Sequence, residues 1–160
     1  MIQKYWAVAI IFAGCTLPSI SVTATQPHQP IMVANGPTVS RTTRTGDWEV
    51  TLTQVHTLGN KVNYHGVPYE AVGIWTTATV TVRNTTSQRQ EGINARSILS
   101  GARLVDTQEK SYAAKHIVAD PRLSGKPLSS GESRTYTIMF DTPTPVQMSY
   151  LKVSDSYLGF

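Results

Sequence analysis

Histidine is the residue type in this sequence best suited to binding a metal ion. Three histidines fall in the region expected to fold: His56, His65 and His116. Metal sites usually contain ligands at short spacings, and no pair of these histidines has such a spacing. The single cysteine, Cys15, lies near the N-terminus, far from them in the sequence. We therefore expect no metal site and no cofactor, and we interpret the histidines as loop and surface residues.

Carboxylates are the next candidates for chemistry, because paired acid–base catalysis needs two of them facing each other across a cleft. Four carboxylates of the C-terminal half are scattered near predicted turns: Asp106, Glu109, Asp120 and Glu132. The segment Ser129-Ser130-Gly131 lacks the Gly-x-Ser-x-Gly pattern of hydrolases, and no glycine-rich phosphate loop occurs. The sequence therefore predicts that the protein is not an enzyme.

The best binding candidate is the segment Gly59–Pro68, which we predict to be a loop longer than a hairpin needs. It contains Tyr64 and His65, and Tyr69 follows it directly. Tyrosine and histidine offer large amphipathic contact surfaces, which suits recognition of a protein or another envelope component. The alternative is structural, with Tyr64 or Tyr69 folding back to cover one end of the core.

Charge excludes one class of partner. The 160 residues carry a formal net charge of +4, and only 15% of them are charged. The arginines are dispersed along the chain and form no basic run, so we do not expect nucleic-acid binding.

The N-terminus has the layout of an export signal. Lys4 precedes the apolar run Tyr5–Ala13, which is too short to span a bilayer as a permanent helix. An ordinary signal peptide would comprise residues 1–24 and leave a mature chain beginning at Thr25. Alternatively, residues 1–14 are a lipoprotein signal, and Cys15 becomes the lipidated N-terminus. Both alternatives predict an extracytoplasmic protein, either periplasmic or secreted, or lipid-anchored, with no transmembrane segment in the mature chain.

Residues 25–45 are rich in proline and threonine and are predicted to be a flexible spacer. From residue 46 to residue 160 the pattern changes to the two-residue period of β-strands. Strands are predicted at Trp48–Leu52, Val72–Val82, Ile98–Val105 and Tyr136–Phe140, with a last strand from Met148. A single helical turn is expected at His116–Ala119. The predicted fold is an all-β, immunoglobulin-like two-sheet sandwich.

Two tryptophans test this interpretation. Trp48 alternates with Val50 and Leu52, so its ring is expected between the two sheets. Trp75 lies on the opposite face of its strand from Ile74 and Val80. Its loss is expected to matter less, unless a loop packs over that sheet.

Five sequence segments follow one another in a recognisable order: Gly46–Val50, Thr79–Thr85, Leu104–Asp106 with Tyr112, Leu128–Glu132 and Ile138–Pro143. In the order and spacing of these segments, the chain resembles the bacterial family called domain of unknown function 4352. That family consists of exported proteins and lipoproteins with an immunoglobulin-like sandwich, similar to a secreted immunogenic antigen of mycobacteria. The resemblance covers about Gly46–Val153 and implies no catalytic residues. This chain departs from the family pattern at Thr107–Lys110, where a glycine would commonly make the turn.

These observations favour an exported binding or interaction module without catalytic activity. Two alternatives stay open: a small envelope-located hydrolase or metal-handling protein on the same fold, and a passive structural component of the envelope.

Overall fold

The computed structural model describes residues 38–123 and 125–159, and within them the chain forms ten β-strands and one short helix. The predicted signal segment, Cys15 and residues 25–37 of the predicted spacer lie outside the described residues. The elements in chain order are β1 (Thr38–Thr45), β2 (Trp48–Thr57), β3 (Lys61–Tyr64), β4 (Val67–Glu70), β5 (Ile74–Asn84), α1 (Gly92–Ser100), β6 (Arg103–Asp106), β7 (Ser111–Val118), β8 (Ser133–Thr142), β9 (Met148–Val153) and β10 (Ser156–Gly159).

Eight strands form two antiparallel layers in the order β1-β2-β5-β8-β7-β6-β9-β10. The strand β7 belongs to both layers, because it pairs with β6 as far as Ala113 and with β8 from Ala114 onward. At the other side the layers meet where the Ser156 hydroxyl donates a hydrogen bond to the Arg44 carbonyl, 3.2 Å away. The predicted all-β sandwich is confirmed.

The main hydrophobic core lies between these layers. Alternate residues of β2, β5 and β8 point inward and meet side chains of β6, β9 and β10. Trp48 is 6% exposed within this cluster, so its predicted place between the sheets is confirmed. Fully burying one such apolar side chain stabilises a fold by about 1.5–3 kcal/mol.

A second, smaller cluster lies on the outer face of the β5–β8 region. It consists of Val62, Ala71, Trp75, Val118 and Met139, and the separate two-stranded sheet β3–β4 packs over it. Trp75 is only 2% exposed there. From the sequence, loss of Trp75 was expected to matter less unless a loop packed over its face of the sheet. The β3–β4 sheet does pack over that face.

The N-terminal boundary of the domain needs a correction. Residues 38–45 were part of the predicted spacer, but they form β1, which pairs antiparallel with β2 from Thr45 opposite Trp48 to Thr38 opposite Gln54. β1 is an edge strand rich in threonine and arginine, and its described side chains, residues 40–45, are exposed or half-buried. No two-residue hydrophobic period therefore marked the strand in the sequence.

The strand β5 begins two residues later than predicted. Val72 is fully exposed. Its backbone N–H and that of Gly73 donate to the two carboxylate oxygens of Asp141, each at 3.0 Å. Gly73 passes so close to the Thr142 carbonyl that a side chain at this position would collide with it. The chain is therefore held by a side chain here rather than by the strand ladder.

Two further predictions in the second half are wrong. The strand predicted at Ile98–Val105 is instead the end of α1 followed by the short strand β6, because the apolar pair Ile98-Leu99 faces the core from a helix. Short apolar runs fit either structure. The helical turn predicted at His116–Ala119 is also wrong, since β7 continues through Val118. Within the described residues, no helix is long and apolar enough to cross a membrane.

Candidate functional site

The predicted binding loop is a β-hairpin, so the loop prediction for Gly59–Pro68 is corrected. β3 and β4 pair from Lys61 opposite Glu70 to Tyr64 opposite Val67, which leaves His65 and Gly66 as a two-residue turn. Both have positive φ, 53° and 82°, as tight hairpin turns of this kind require. The Gly66 N–H donates to Oδ1 of Asn63 at 2.9 Å. A His-Gly turn is a weaker sequence signal than Asn-Gly or Asp-Gly, which explains the missed hairpin.

The three predicted binding residues occupy different parts of this hairpin. Tyr64 and Tyr69 are half-buried against the second cluster, with ring centroids 6.3 Å apart in an edge-to-face arrangement. Burial raises the pKa of Tyr64, and a hydrogen bond with Thr77 acts in the opposite direction. His65 is exposed at the tip, so the structure does not bring the three side chains together at one point.

A chain of ring contacts connects the hairpin to β7. The rings of Tyr69 and His116 have centroids 4.9 Å apart, and those of Trp75 and His116 are 5.6 Å apart. The indole N–H of Trp75 donates to the backbone carbonyl of Tyr69 at 3.3 Å. His116, which the sequence offered only as a possible metal ligand, thus helps to fix the hairpin against the sheet.

Beside these rings lies an open groove of about 450 Å³, bounded by α1, β7 and the hairpin. This surface is called the groove below, and it is lined by Tyr69, Arg96, Ser97, Ser100, Ala114, Lys115, His116 and Ile117. Two of them, Arg96 on α1 and Lys115 on β7, bring positive charge to the groove, and both are exposed. The lining contains no aspartate and no glutamate. Small-molecule sites commonly have volumes of about 300–1,000 Å³, so the groove is large enough for a ligand.

A β-bulge in β7 explains why consecutive side chains line the groove. In the pairing of β7 with β8, Ala114 faces Phe140 and His116 faces Met139, so Lys115 is an extra residue without a partner. In a regular strand, neighbouring side chains point to opposite faces. The bulge removes that constraint, and Lys115 and His116 line the same groove.

Three of the four carboxylates considered for catalysis bind groups close to them in the chain. Asp106 accepts hydrogen bonds from the backbone N–H groups of Gln108 and Lys110, and from the hydroxyl of Tyr112 at 3.0 Å. Burial acts to raise the pKa of Asp106, but these hydrogen bonds and the charge of Lys110 hold it below its ordinary value. The turn these groups stabilise is the one that departs from the family pattern. Its Glu109 has a φ of 63°, the conformation that a glycine adopts without strain.

The other two carboxylates also bind close neighbours. Arg122 beside Asp120 holds the pKa of that carboxyl at about 2. Glu132 accepts a hydrogen bond from the Ser129 N–H at 2.8 Å and lies 3.5 Å from the Arg134 guanidinium. Among the described residues, no three histidine, cysteine, aspartate or glutamate side chains lie close enough together to hold a metal ion.

Sequence reasoning missed Arg96, Lys115 and the role of His116. The available signal was in β7, which has buried Tyr112 and Val118 near its two ends. Between them, the consecutive exposed residues Lys115 and His116 interrupt the two-residue alternation of a regular strand. A break of this kind marks a bulge.

No protein-family model matches the chain, and no curated protein matches it. Solved structures similar to it include a conserved hypothetical protein from Bacillus anthracis, with 16% identity over 78% of this chain and 93% of that one, and a TM-score of 0.48. An uncharacterized β-sandwich protein from Clostridium difficile 630 shares 12% identity over 74% of this chain and 83% of that one, also with a TM-score of 0.48. A secreted protein from Mycobacterium tuberculosis, MPT63, shares 19% identity over 84% and 96%, with a TM-score of 0.40.

These neighbours are thus uncharacterized β-sandwich proteins and a secreted mycobacterial protein. At these identities and TM-scores, no function is transferred from them. The resemblance to the domain of unknown function 4352 is not confirmed by a family model and stays a prediction.

Proposed function

We propose that this chain is an exported binding module without catalytic activity, and that the groove and the adjoining hairpin form its contact surface. The observation that carries the proposal is the bulge at Lys115. It directs consecutive side chains of β7 into an open groove instead of leaving them alternately in the core and in solvent. Bulges are frequent where a strand must re-aim side chains next to a functional site.

The hairpin supports the same proposal. It is a two-stranded sheet separate from the eight-stranded sandwich, with Tyr69 lining the groove and His65 at an exposed tip. Tyr64 and Tyr69 also cover the second cluster, so contact with a partner and protection of that cluster are compatible roles for these rings.

A blocking variant tests the contact surface. Ser100→Trp places an indole in the groove from the exposed end of α1, and Arg41→Trp places the same side chain on the exposed edge strand β1 as a matched control. The full mature chain, immobilised, is exposed to a cell-envelope extract of its source organism. We expect Ser100→Trp to lose the component that the wild type retains, Arg41→Trp to keep it, and all three proteins to melt at the same temperature.

Equal capture by both variants would remove the groove from the contact surface. Retention of nothing by the wild type would favour the passive structural alternative. Release of a cleaved product, or a stoichiometric metal in the purified protein, would favour the hydrolase or metal-handling alternative.

Export rests on residues 1–24 and has its own test. Mass spectrometry of the mature protein should show an N-terminus at Thr25 or a lipid-modified Cys15. An intact Met1 on the protein isolated from its own cells would contradict export, and unchanged mass and location in a Cys15→Ser variant would exclude the lipoprotein alternative.

A further inference from the structure

The two cations of the groove are not neutralised by the protein itself. Among the described residues, neither Arg96 nor Lys115 forms an ion pair. The nearby carboxylates bind other cations: Glu70 lies 3.1 Å from Lys61, and Asp120 lies 2.8 Å from Arg122. Arg96 and Lys115 thus bring two exposed positive charges, from α1 and β7, to one concave surface whose lining contains no carboxylate. This arrangement concentrates positive potential in the groove.

The rest of the lining combines polar, aromatic and aliphatic side chains. Ser97 and Ser100 line it from α1, and the Ser100 hydroxyl donates to the Ser97 carbonyl at 2.6 Å, so its oxygen is left as an acceptor. Tyr69 and His116 contribute rings. Arginine and lysine side chains bind carboxylates and phosphates. Hydroxyl groups and an aromatic ring also suit a sugar, which has both hydroxyls and an apolar face.

A peptide added as an extra strand fits this surface less well. The Ala114 N–H still donates to the Ala102 carbonyl at 3.0 Å, but from Lys115 onward β7 pairs with β8 alone among the described strands, so one edge of that part of the strand is open. However, a bulge and a lysine on an edge strand are features that block strand addition. The side chains of the groove, rather than the backbone of β7, are therefore the groups available for recognition.

We infer that the groove binds a negatively charged sugar, whose carboxylate or phosphate lies between Arg96 and Lys115 and whose ring lies against Tyr69. This inference rests on the proposed function, since it names the ligand class for the same contact surface. The negative group and the sugar ring are separate parts of the inference, and each has its own measurement.

The test uses the full mature chain and isothermal titration calorimetry with three probes: digalacturonate, a galactose phosphate and uncharged digalactose. We expect at least one charged sugar to bind, the uncharged one to bind at least about tenfold more weakly, and affinity to fall as salt is raised. Digalacturonate and the galactose phosphate distinguish carboxylate from phosphate recognition.

The variants locate the site. Lys115→Gln and Arg41→Gln each remove one exposed positive charge, but only Lys115 lines the groove. We expect Lys115→Gln to weaken binding of the charged sugar about tenfold, because one charge-assisted hydrogen bond is lost, and Arg41→Gln to leave it unchanged. Thermal melting of both variants verifies that they are folded.

Three results would overturn the inference: no binding of either charged sugar, equal affinity for charged and uncharged probes, or equal weakening by the two variants. These failures are distinguishable from failure of the proposed function. If Ser100→Trp still abolishes capture from the envelope extract, the groove is a contact surface for a ligand of another class. If capture is unaffected as well, both proposals fail together.

Discussion

The indole of Trp75 is predicted to hold the β3–β4 hairpin against the sandwich. Its ring is 2% exposed in the second cluster, its N–H donates to the Tyr69 carbonyl at 3.3 Å, and its edge contacts the His116 ring. The substitution Trp75→Ala removes all of these contacts and leaves a cavity beneath the hairpin. Loss of a buried tryptophan side chain typically costs about 3–5 kcal/mol of unfolding free energy.

For a domain of this size, each kcal/mol lowers the melting temperature by about 4 °C, so we expect a decrease of about 12–20 °C. Urea unfolding gives the free energy, and circular dichroism gives the melting temperature. Hydrogen exchange gives the location, because the amides of β3 and β4 should exchange faster in Trp75→Ala than the loss of global stability alone would produce.

Trp48→Ala is the matched control. It removes the same side chain from the main cluster, where Trp48 is 6% exposed. Its free-energy cost should be similar, but hairpin amides should then be affected only through global unfolding. A Trp75→Ala cost below about 1 kcal/mol would refute the reasoning, since cavities of this size cost more. Equal hairpin exchange in the two variants, after correction for global stability, would show that Trp75 does not hold the hairpin.

Three further outcomes are expected. Asn84 is fully buried, and its amide group donates to three backbone carbonyls and accepts two hydrogen bonds from Thr86. Asn84→Ala should therefore lower the unfolding free energy, measured in urea, by about 2–4 kcal/mol, and a decrease below about 1 kcal/mol would contradict this prediction. Glu109→Gly should raise the unfolding free energy by about 0.5–1 kcal/mol, because glycine adopts the positive φ of 63° without strain, and a destabilised variant would disprove this. The folded pKa of Asp106 is below its ordinary value of 3.8, so its ionised form contributes stability that is present above that pH and lost as the pH falls through the folded pKa. Asp106→Asn should therefore be less stable than the wild type at neutral pH, and it should lose less stability between about pH 5 and about pH 2. Acid unfolding monitored by circular dichroism measures this difference, and parallel profiles of the two proteins would contradict a stabilising role of ionised Asp106.

The strands that could be predicted are those with one face in the main core. β5 and β8 alternate between buried and outward residues over much of their length, as in Ala78, Val80 and Val82, and a two-residue period is visible without any tertiary information. The beginning of β5 is different, because Trp75 and Thr77 are buried on the face that the hairpin covers. The hairpin covers that face from outside the sandwich, and such coverage leaves no local pattern in the strand itself.

The helix α1 and the hairpin were missed for a common physical reason. Each is short, and the side chains described as buried in them are Leu99 in α1 and Val62 in β3. Over so few residues, neither a helical nor a strand period accumulates in the sequence. Their conformations are fixed by docking onto a sheet that is formed by distant parts of the chain.

The groove could not be predicted because its walls come from separate elements. Arg96 and Lys115 are on α1 and β7, and Tyr69 is on β4. A sequence read along the chain shows each as an isolated polar residue. The sequence did single out Tyr69, but for its place beside a predicted loop and not for its neighbours.

Stability and recognition are separable in this arrangement, and β7 shows why. His116 contacts both Trp75 and Tyr69, so a change at this residue would alter the second cluster and the groove together. Lys115, its immediate neighbour, is exposed and is the bulged residue without a partner in β8, so its side chain can change without removing a core contact. A substitution at Lys115 should then change binding with little effect on the free energy of unfolding, whereas Trp75→Ala should lower that free energy. The bulge thus lets one strand carry a packing residue and a proposed recognition residue side by side.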